Sequence, residues 1–199
     1  MKRFLAPTLT AALAGITFAA CSSGSSTAQT TGHSASKFSA SSECQAYAKA
    51  NPSAQVTTTA DYVVVAGMGA SEAMYTSEQA TSMHPKSGEI MVSGQMDNGN
   101  NSMAMGSGTT MDHVEAHICS KGAGKVITGV MPTMSLQGTG PGVMATSIPV
   151  AEMQGLDRNP ADTHYGNNVT ITPGSRYHLI VTLNGQSGTV TMTAPGMSK

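Results

Sequence analysis

The run Asp112-His113-Val114-Glu115-Ala116-His117-Ile118-Cys119 is the sharpest chemical feature of this sequence. Polar and apolar residues alternate through it, which is the pattern of a strand with two unlike faces. His113, Glu115 and His117 then share one face, and Val114, Ala116 and Ile118 share the other. Two imidazoles and a carboxylate in a row are suitable ligands for a borderline transition metal. The bland alternative is a solvated face on an edge strand or outer sheet. A hydrolytic zinc site of the helical type is not indicated, because that motif sets two histidines four apart on a helix.

A second segment runs over residues 149–168 and holds Met153, several carboxylates including Asp162, and His164 before Tyr165-Gly166-Asn167-Asn168. It reads as a loop after a strand, with Gly166 permitting a close approach. His164 in such a loop is either a ligand or a histidine satisfied by backbone. Methionine is the compositional outlier, with fifteen in all. Met103, Met105 and Met111 precede His113, and Met131 and Met134 follow it, several of them among Gly, Ser, Asn and Thr. Thioether sulfur suits Cu(I) and is a poor ligand for Mg, Ca or Zn. Methionine-rich sheet faces or a sticky interaction surface would account for the same composition. Met83-His84-Pro85 resembles short heavy-metal-binding segments but lacks their cysteines. His178, between Tyr177 and Leu179, reads as a packed or surface histidine. No Gly-x-Ser-x-Gly elbow or phosphate loop supports nucleophilic or nucleotide chemistry.

These residues need a scaffold, and the chain reads as mostly β. Residues 41–50 form a short helix ended by Asn51-Pro52. Tyr62-Val63-Val64-Val65 signals a buried strand within 60–66. Residues 71–83 are ambiguous, and Ser71-Glu72-Ala73-Met74-Tyr75 could open a short helix. Strands are then expected over 89–96, 112–120, 124–136 with a break at Pro132, 144–153, 168–172, 176–183 and 187–193, with a long Met/Gly/Asn loop over 96–111. Asn184-Gly185 is a two-residue hairpin signal. Short strands at this spacing, with no long helical run between them, imply an all-β antiparallel sandwich of immunoglobulin type. The net charge of −1 and the absence of a basic run argue against nucleic acid as a partner. With no Trp and 4% aromatics, a stacking platform for sugars or bases is improbable.

The N-terminus carries an address. Lys2 and Arg3 precede an apolar stretch that ends at Ala19-Ala20, which is signal-peptide grammar over residues 1–20. Thr17-Phe18-Ala19-Ala20-Cys21 resembles the bacterial lipobox, with Phe18 where an aliphatic residue is usual. That resemblance implies a lipid on Cys21 and anchoring at the outer face of the cell membrane; ordinary secretion is the alternative. Residues 22–42 are Ser/Thr/Ala/Gly-rich and read as a spacer unable to bury a core. The domain is expected over 43–199. With Cys21 lipidated, Cys44 and Cys119 remain as a pair, and an oxidising compartment favours one disulfide between them. The alternative is that one thiol is a metal ligand.

Two motifs together carry a family resemblance. His113-Val114-Glu115-Ala116, and Pro149-Val150-Ala151 followed by His164-Tyr165-Gly166-Asn167-Asn168-Val169, resemble the periplasmic ferrous-iron-transport accessory family. The resemblance spans about half the chain. It implies an immunoglobulin-like sandwich, commonly a dimer, that binds copper and serves iron uptake beside a membrane permease. Carried over by position, it implicates His113, Glu115, Met153 and His164. Here Met153 and His164 stand eleven positions apart, and no histidine follows Val181 to supply the family's C-terminal ligand. His117 or a loop methionine is the available substitute. The expected function is therefore a non-catalytic, extracytoplasmic lipoprotein that holds copper or iron. A surface lipoprotein for protein–protein contact or envelope structure is the second reading, and a metal-dependent oxidoreductase the third.

Overall fold

The computed structural model describes residues 42–96, 109–140 and 146–196. The chain opens with α1 (Glu43–Ala50), started by Ser42, whose hydroxyl accepts from the Gln45 amide at 3.1 Å. That is the usual remedy for an unpaired first-turn N–H. β1 (Gln55–Thr58), β2 (Tyr62–Ala70) and β3 (Met74–Thr76) follow. α2 (Ser77–Met83) begins with a capping box between Thr76 and Gln79 and ends at His84 in the left-handed region. Then come β4 (Glu89–Gly94), β5 (Thr110–Ser120), β6 (Thr133–Gly138), β7 (Thr146–Ile148) and β8 (Ala151–Gly155). A 3-10 turn (Pro160–Asp162) leads into β9 (His164–Ile171), β10 (Arg176–Leu183) and β11 (Gln186–Thr193).

Two sheets pack as a sandwich. The larger has the order β1-β2-β5-β9-β8-β4-β3 and the smaller β11-β10-β6-β7. Every pairing is antiparallel except β3 with β4. Alternation places Val64, Ala66, Val114, Ala116 and Ile118 of the large sheet against Leu136, Leu179, Val181 and Val190 of the small one. Asn184 and Gly185 both take positive φ between β10 and β11, as a two-residue hairpin turn requires. The all-β sandwich expectation is met.

Five strand spacings separate β2 from β3 in a sheet of this order, about 24 Å if it were flat. Yet only residues 71–73 join them, and four residue steps reach at most about 14 Å. The sheet must therefore curl until its β4–β3 edge returns over the face of β5 and β9. The hydrogen bonds show that closure. Asn168 on β9 accepts from the Glu72 amide at 3.1 Å and donates to the Glu72 carbonyl at 2.8 Å. The Glu89 amide donates to Ala73 O at 2.9 Å. The face of β5 that points away from the sandwich core thus lies inside a second, smaller interior.

Several element readings change. The strand expected over 144–153 is two strands, β7 and β8, separated at Pro149-Val150. Residues 124–132 form no strand beyond a single bridge between Val126 and Cys119, so only β6 remains of the 124–136 expectation. The helix does not open at 71–75: Met74–Thr76 is β3, and α2 starts at Ser77, where Thr76 supplies the cap. β1 carried no clear signal, being short and mostly exposed. Among the described residues no helix is long and apolar enough to cross a membrane. Cys21, residues 22–41 and most of the Met-rich loop, with Met103 and Met105, lie outside the described residues.

Candidate metal centre

β5 presents His113, Glu115 and His117 to the small interior, as their alternation predicts. The neighbouring strand β2 contributes Gly69 opposite His113 and Gly67 opposite Glu115. A side chain at Gly67 would meet the Glu115 carboxylate at 3.0 Å, so the missing side chain makes room for that group. β9 brings His164 alongside, and β4, folded over by the curl, brings Glu89. Donor atoms of Glu89, His113, Glu115 and His164 all lie within 4.8 Å of one another. A second group, His117, Asp162 and His164, meets the same limit and shares His164. Glu89 stands between two imidazoles, 2.9 Å from His164 Nε2 and 3.5 Å from His113 Nε2. Glu115 lies 3.8 Å from the Nε2 atoms of both His117 and His164.

Outer partners fix which nitrogens face inward. The His164 Nδ1–H donates to the Asp162 carbonyl at 2.9 Å, and a carbonyl can only accept. Its Nε2 is therefore the inward atom. Asn168 Oδ1 accepts from the Glu72 amide while its Nδ2 donates to the Glu72 carbonyl, which settles the orientation of the amide group. His113 Nδ1, 3.2 Å from that oxygen, is thus a donor, and its Nε2 faces Glu89. This is the outer support that metal-ligating histidines usually have. Tyr47 of α1 donates its hydroxyl to Glu115 and lies against His117, ring centroids 3.6 Å apart.

The site is largely buried and under-satisfied. His113 is 3% exposed, His117 1% and His164 2%. Glu89 Oε2, His113 Nε2 and both nitrogens of His117 are buried without a well-formed hydrogen bond, whereas His164 Nε2 meets Glu89 Oε1. Each orphaned group of this kind costs about 1–3 kcal/mol. Charge partly offsets that cost. Burial alone would push the His164 imidazole down, but Glu89, with Glu115 behind it, outweighs burial and pushes it up to about 9. Burial likewise works against the Glu89 carboxylate, and the His164 hydrogen bond and charge hold it below the ordinary range. Burial, then the neighbouring His164 charge, pushes His117 down to about 3. Burial, then the Glu115 charge, pushes the Tyr47 hydroxyl up. Without metal the centre is an ion pair, His164 with Glu89, flanked by a neutral His117.

Of the residues singled out from sequence, His113, Glu115, His117 and His164 come together here. The solvated-face alternative for 113–117 is overturned, because β5 is an inner strand and its polar face is enclosed by the curl. His164 is the first residue of β9, not part of a loop, although the backbone does satisfy one of its nitrogens. Met153 is fully buried on β8, directly opposite His164, and Met91 on β4 is opposite Met153. Opposed side chains on paired strands stand about 5 Å apart at Cβ, so the thioether row adjoins the imidazoles. Met74 and Met96 pack with these two. Met134 belongs to the sandwich core, whereas Met131 is 52% exposed beside Ser93. His84 caps α2 and joins neither donor group. His178 lies in the small sheet, away from the centre, and pairs with the hydroxyl of Thr191 on the neighbouring strand, as a packed histidine would. Cys44 and Cys119 form a disulfide with Cα atoms 6.0 Å apart, which removes both as thiolate ligands and ties α1 to β5.

Asp162 was among the carboxylates noted in 149–168, whereas Glu89, Tyr47 and Asn168 did not stand out as site residues in the sequence. No local signal marks Glu89, which joins the centre only because the sheet order and the three-residue link between β2 and β3 together force the curl. Comparison of the chain with protein-family models, with curated proteins and with solved structures finds no match.

Proposed function

We infer that this chain is an extracytoplasmic lipoprotein that binds a transition metal, copper or iron, and holds it for transport or homeostasis rather than for catalysis. One observation carries the reading: the buried Glu89, His113, His117 and His164 converge with the half-buried Glu115, and Glu89 Oε2, His113 Nε2 and both His117 nitrogens have no well-formed hydrogen bond. Imidazole nitrogen with carboxylate oxygen suits Cu(II) and Fe(II), and the adjoining Met153–Met91 row offers a soft donor for Cu(I). His113, His164, Glu89 and Glu115 are the proposed ligands, with His117 and Met153 beside them. A cation at this position would replace the proton that His164 shares with Glu89, so binding near neutral pH releases a proton. The resemblance of residues 17–21 to a lipobox supports an address outside the membrane, where free thiolates are scarce and His and Met are the remaining soft and borderline donors. Delivery to a membrane permease fits that address, and so does the dimer that the family resemblance implies.

The test is titration of a soluble Cys21→Ser chain with Cu(II), Cu(I) and Fe(II), read by calorimetry and, for Cu(II), by electron paramagnetic resonance. Binding at micromolar affinity or better is expected, with nitrogen hyperfine structure from imidazole. It should disappear in His113→Ala combined with His164→Ala. Failure of all three ions to bind would falsify the reading. Binding that survives the double substitution would move the site elsewhere, first to the methionines of 96–111.

A further inference from the structure

An open cavity of about 390 Å³ lies between α1 and the 3-10 turn, lined in part by Glu43, Ala46, Tyr47, Asp157, Ala161 and Asp162. Every titratable group in its lining apart from the Tyr47 phenol is a carboxylate, and no Lys, Arg or His lines it. Glu43 is already paired, by Lys125 Nζ at 2.6 Å and the Val126 amide at 2.7 Å. Asp157 and Asp162 supply the rest of the negative charge: Asp157 accepts from the Asn159 amide at 3.1 Å, and Asp162 is countered in part by the Gly155 backbone and the His164 imidazole behind it. Two of the lining residues also belong to the buried centre. Asp162 shares a donor group with His117 and His164. Tyr47 covers His117 and holds Glu115. His117, 1% exposed and without a well-formed hydrogen bond at either nitrogen, stands one side chain in from the cavity.

Resting on the metal-binding reading, we propose that this cavity is the way in and out for the cation, with Asp162 and His117 as a receiving position that passes it to the His113/Glu89/Glu115 group through His164. The two donor groups share His164, so the ion can change partners without leaving protein ligands. An acidic mouth with low-dielectric walls concentrates cations ahead of the site. Tyr47 is the movable element, because its ring and hydroxyl are what separate the mouth from His117 and Glu115. A hydrated divalent cation is the ligand class this mouth selects; an anion or a bulky chelate is not.

The experiment is stopped-flow association of Cu(II) with the apo, soluble Cys21→Ser chain, and release of the ion to excess EDTA. Ala46 lines the cavity on the exposed side of α1 and belongs to neither donor group. Ala46→Trp narrows the mouth and also places the single indole of a Trp-free chain beside the path as a reporter. Association and release should both slow by about tenfold or more while the equilibrium constant stays the same, the signature of an obstructed path rather than a damaged site. Asp162→Asn should slow association and leave the Cu(II) resonance spectrum of the loaded protein unaltered. Unchanged rates in Ala46→Trp, or a changed spectrum in Asp162→Asn that makes Asp162 a resident ligand, overturn the route while leaving the metal centre in place. If the parent chain binds no metal, both the route and the function fall together.

Discussion

Glu89→Gln isolates the charge at the centre from its shape. The amide is nearly isosteric with the carboxylate and still offers an oxygen 2.9 Å from His164 Nε2, but it has no charge to hold the imidazolium. In the native protein His164 is pushed up to about 9 from an ordinary value of 6.5. A group whose folded value is raised stabilises fully below its unfolded value and loses that contribution as pH climbs through the folded one. The window is therefore pH 6.5 to 9, and the shift corresponds to about 3 kcal/mol. Inside that window apo-protein stability should fall with pH, at a slope approaching about 1.4 kcal/mol per unit for the one proton involved. In Glu89→Gln burial dominates and His164 is neutral throughout. The variant should thus be about 3 kcal/mol less stable near pH 6 and close to the parent above pH 9. Urea unfolding between pH 5.5 and 9.5, with EDTA present and the disulfide intact, measures this directly. His117 supplies an internal control. Its value is pushed down to about 3, so its contribution is present above 6.5 and lost as pH falls toward 3. That acid-side loss should persist in the variant, because burial is its first cause, and be smaller by the part that the His164 charge supplies. Equal destabilisation at pH 6 and pH 9.5 would refute the ion-pair account and mark Glu89 as a packing residue.

Metal should stabilise what the apo-protein leaves unpaired: free ion at about 100 times its dissociation constant contributes about 2.7 kcal/mol, or roughly 5–10 °C in Tm for a domain of this size, readable by scanning calorimetry. Cys44→Ala with Cys119→Ala opens a link of sequence separation 75 and should cost about 4 kcal/mol. It should also weaken metal affinity, since α1 then holds Tyr47 against His117 and Glu115 less firmly; denaturant and metal titrations on the same sample check both. Gly166→Ala should prevent native pairing of β5 with β9, because the added carbon would sit 2.0 Å from the Val114 carbonyl oxygen. Its near-ultraviolet circular dichroism and exchange protection at β5 should be lost, whereas Gly69→Ala, where a side chain meets nothing within 4 Å, should fold like the parent.

What the sequence made legible and what it did not follow one physical division. The alternation in 112–119 gave the face shared by His113, Glu115 and His117, because strand period is a local property. Whether that face meets water is not local. It depends on a three-residue link drawing the far edge of a seven-stranded sheet over the face of β5. A polar strand face inside a curl and one in solvent have the same sequence, so the alternation left both open. Gly166-Asn167-Asn168 misled in the opposite direction. Glycine and two asparagines are turn chemistry in most settings. Here Gly166 is needed because the Val114 carbonyl occupies the place of a side chain. Asn167 donates to the Gln95 and Pro149 carbonyls, and Asn168 stitches the 71–73 link to His113. The residues that resembled a loop are the ones that close the interior. Glu89 shows the same rule from the other side: nothing distinguishes it at the head of its own strand, and it becomes part of a centre only because Glu72 and Ala73 are fastened where they are. The chemistry of this site was written in residue types, and its assembly in the length of a connection.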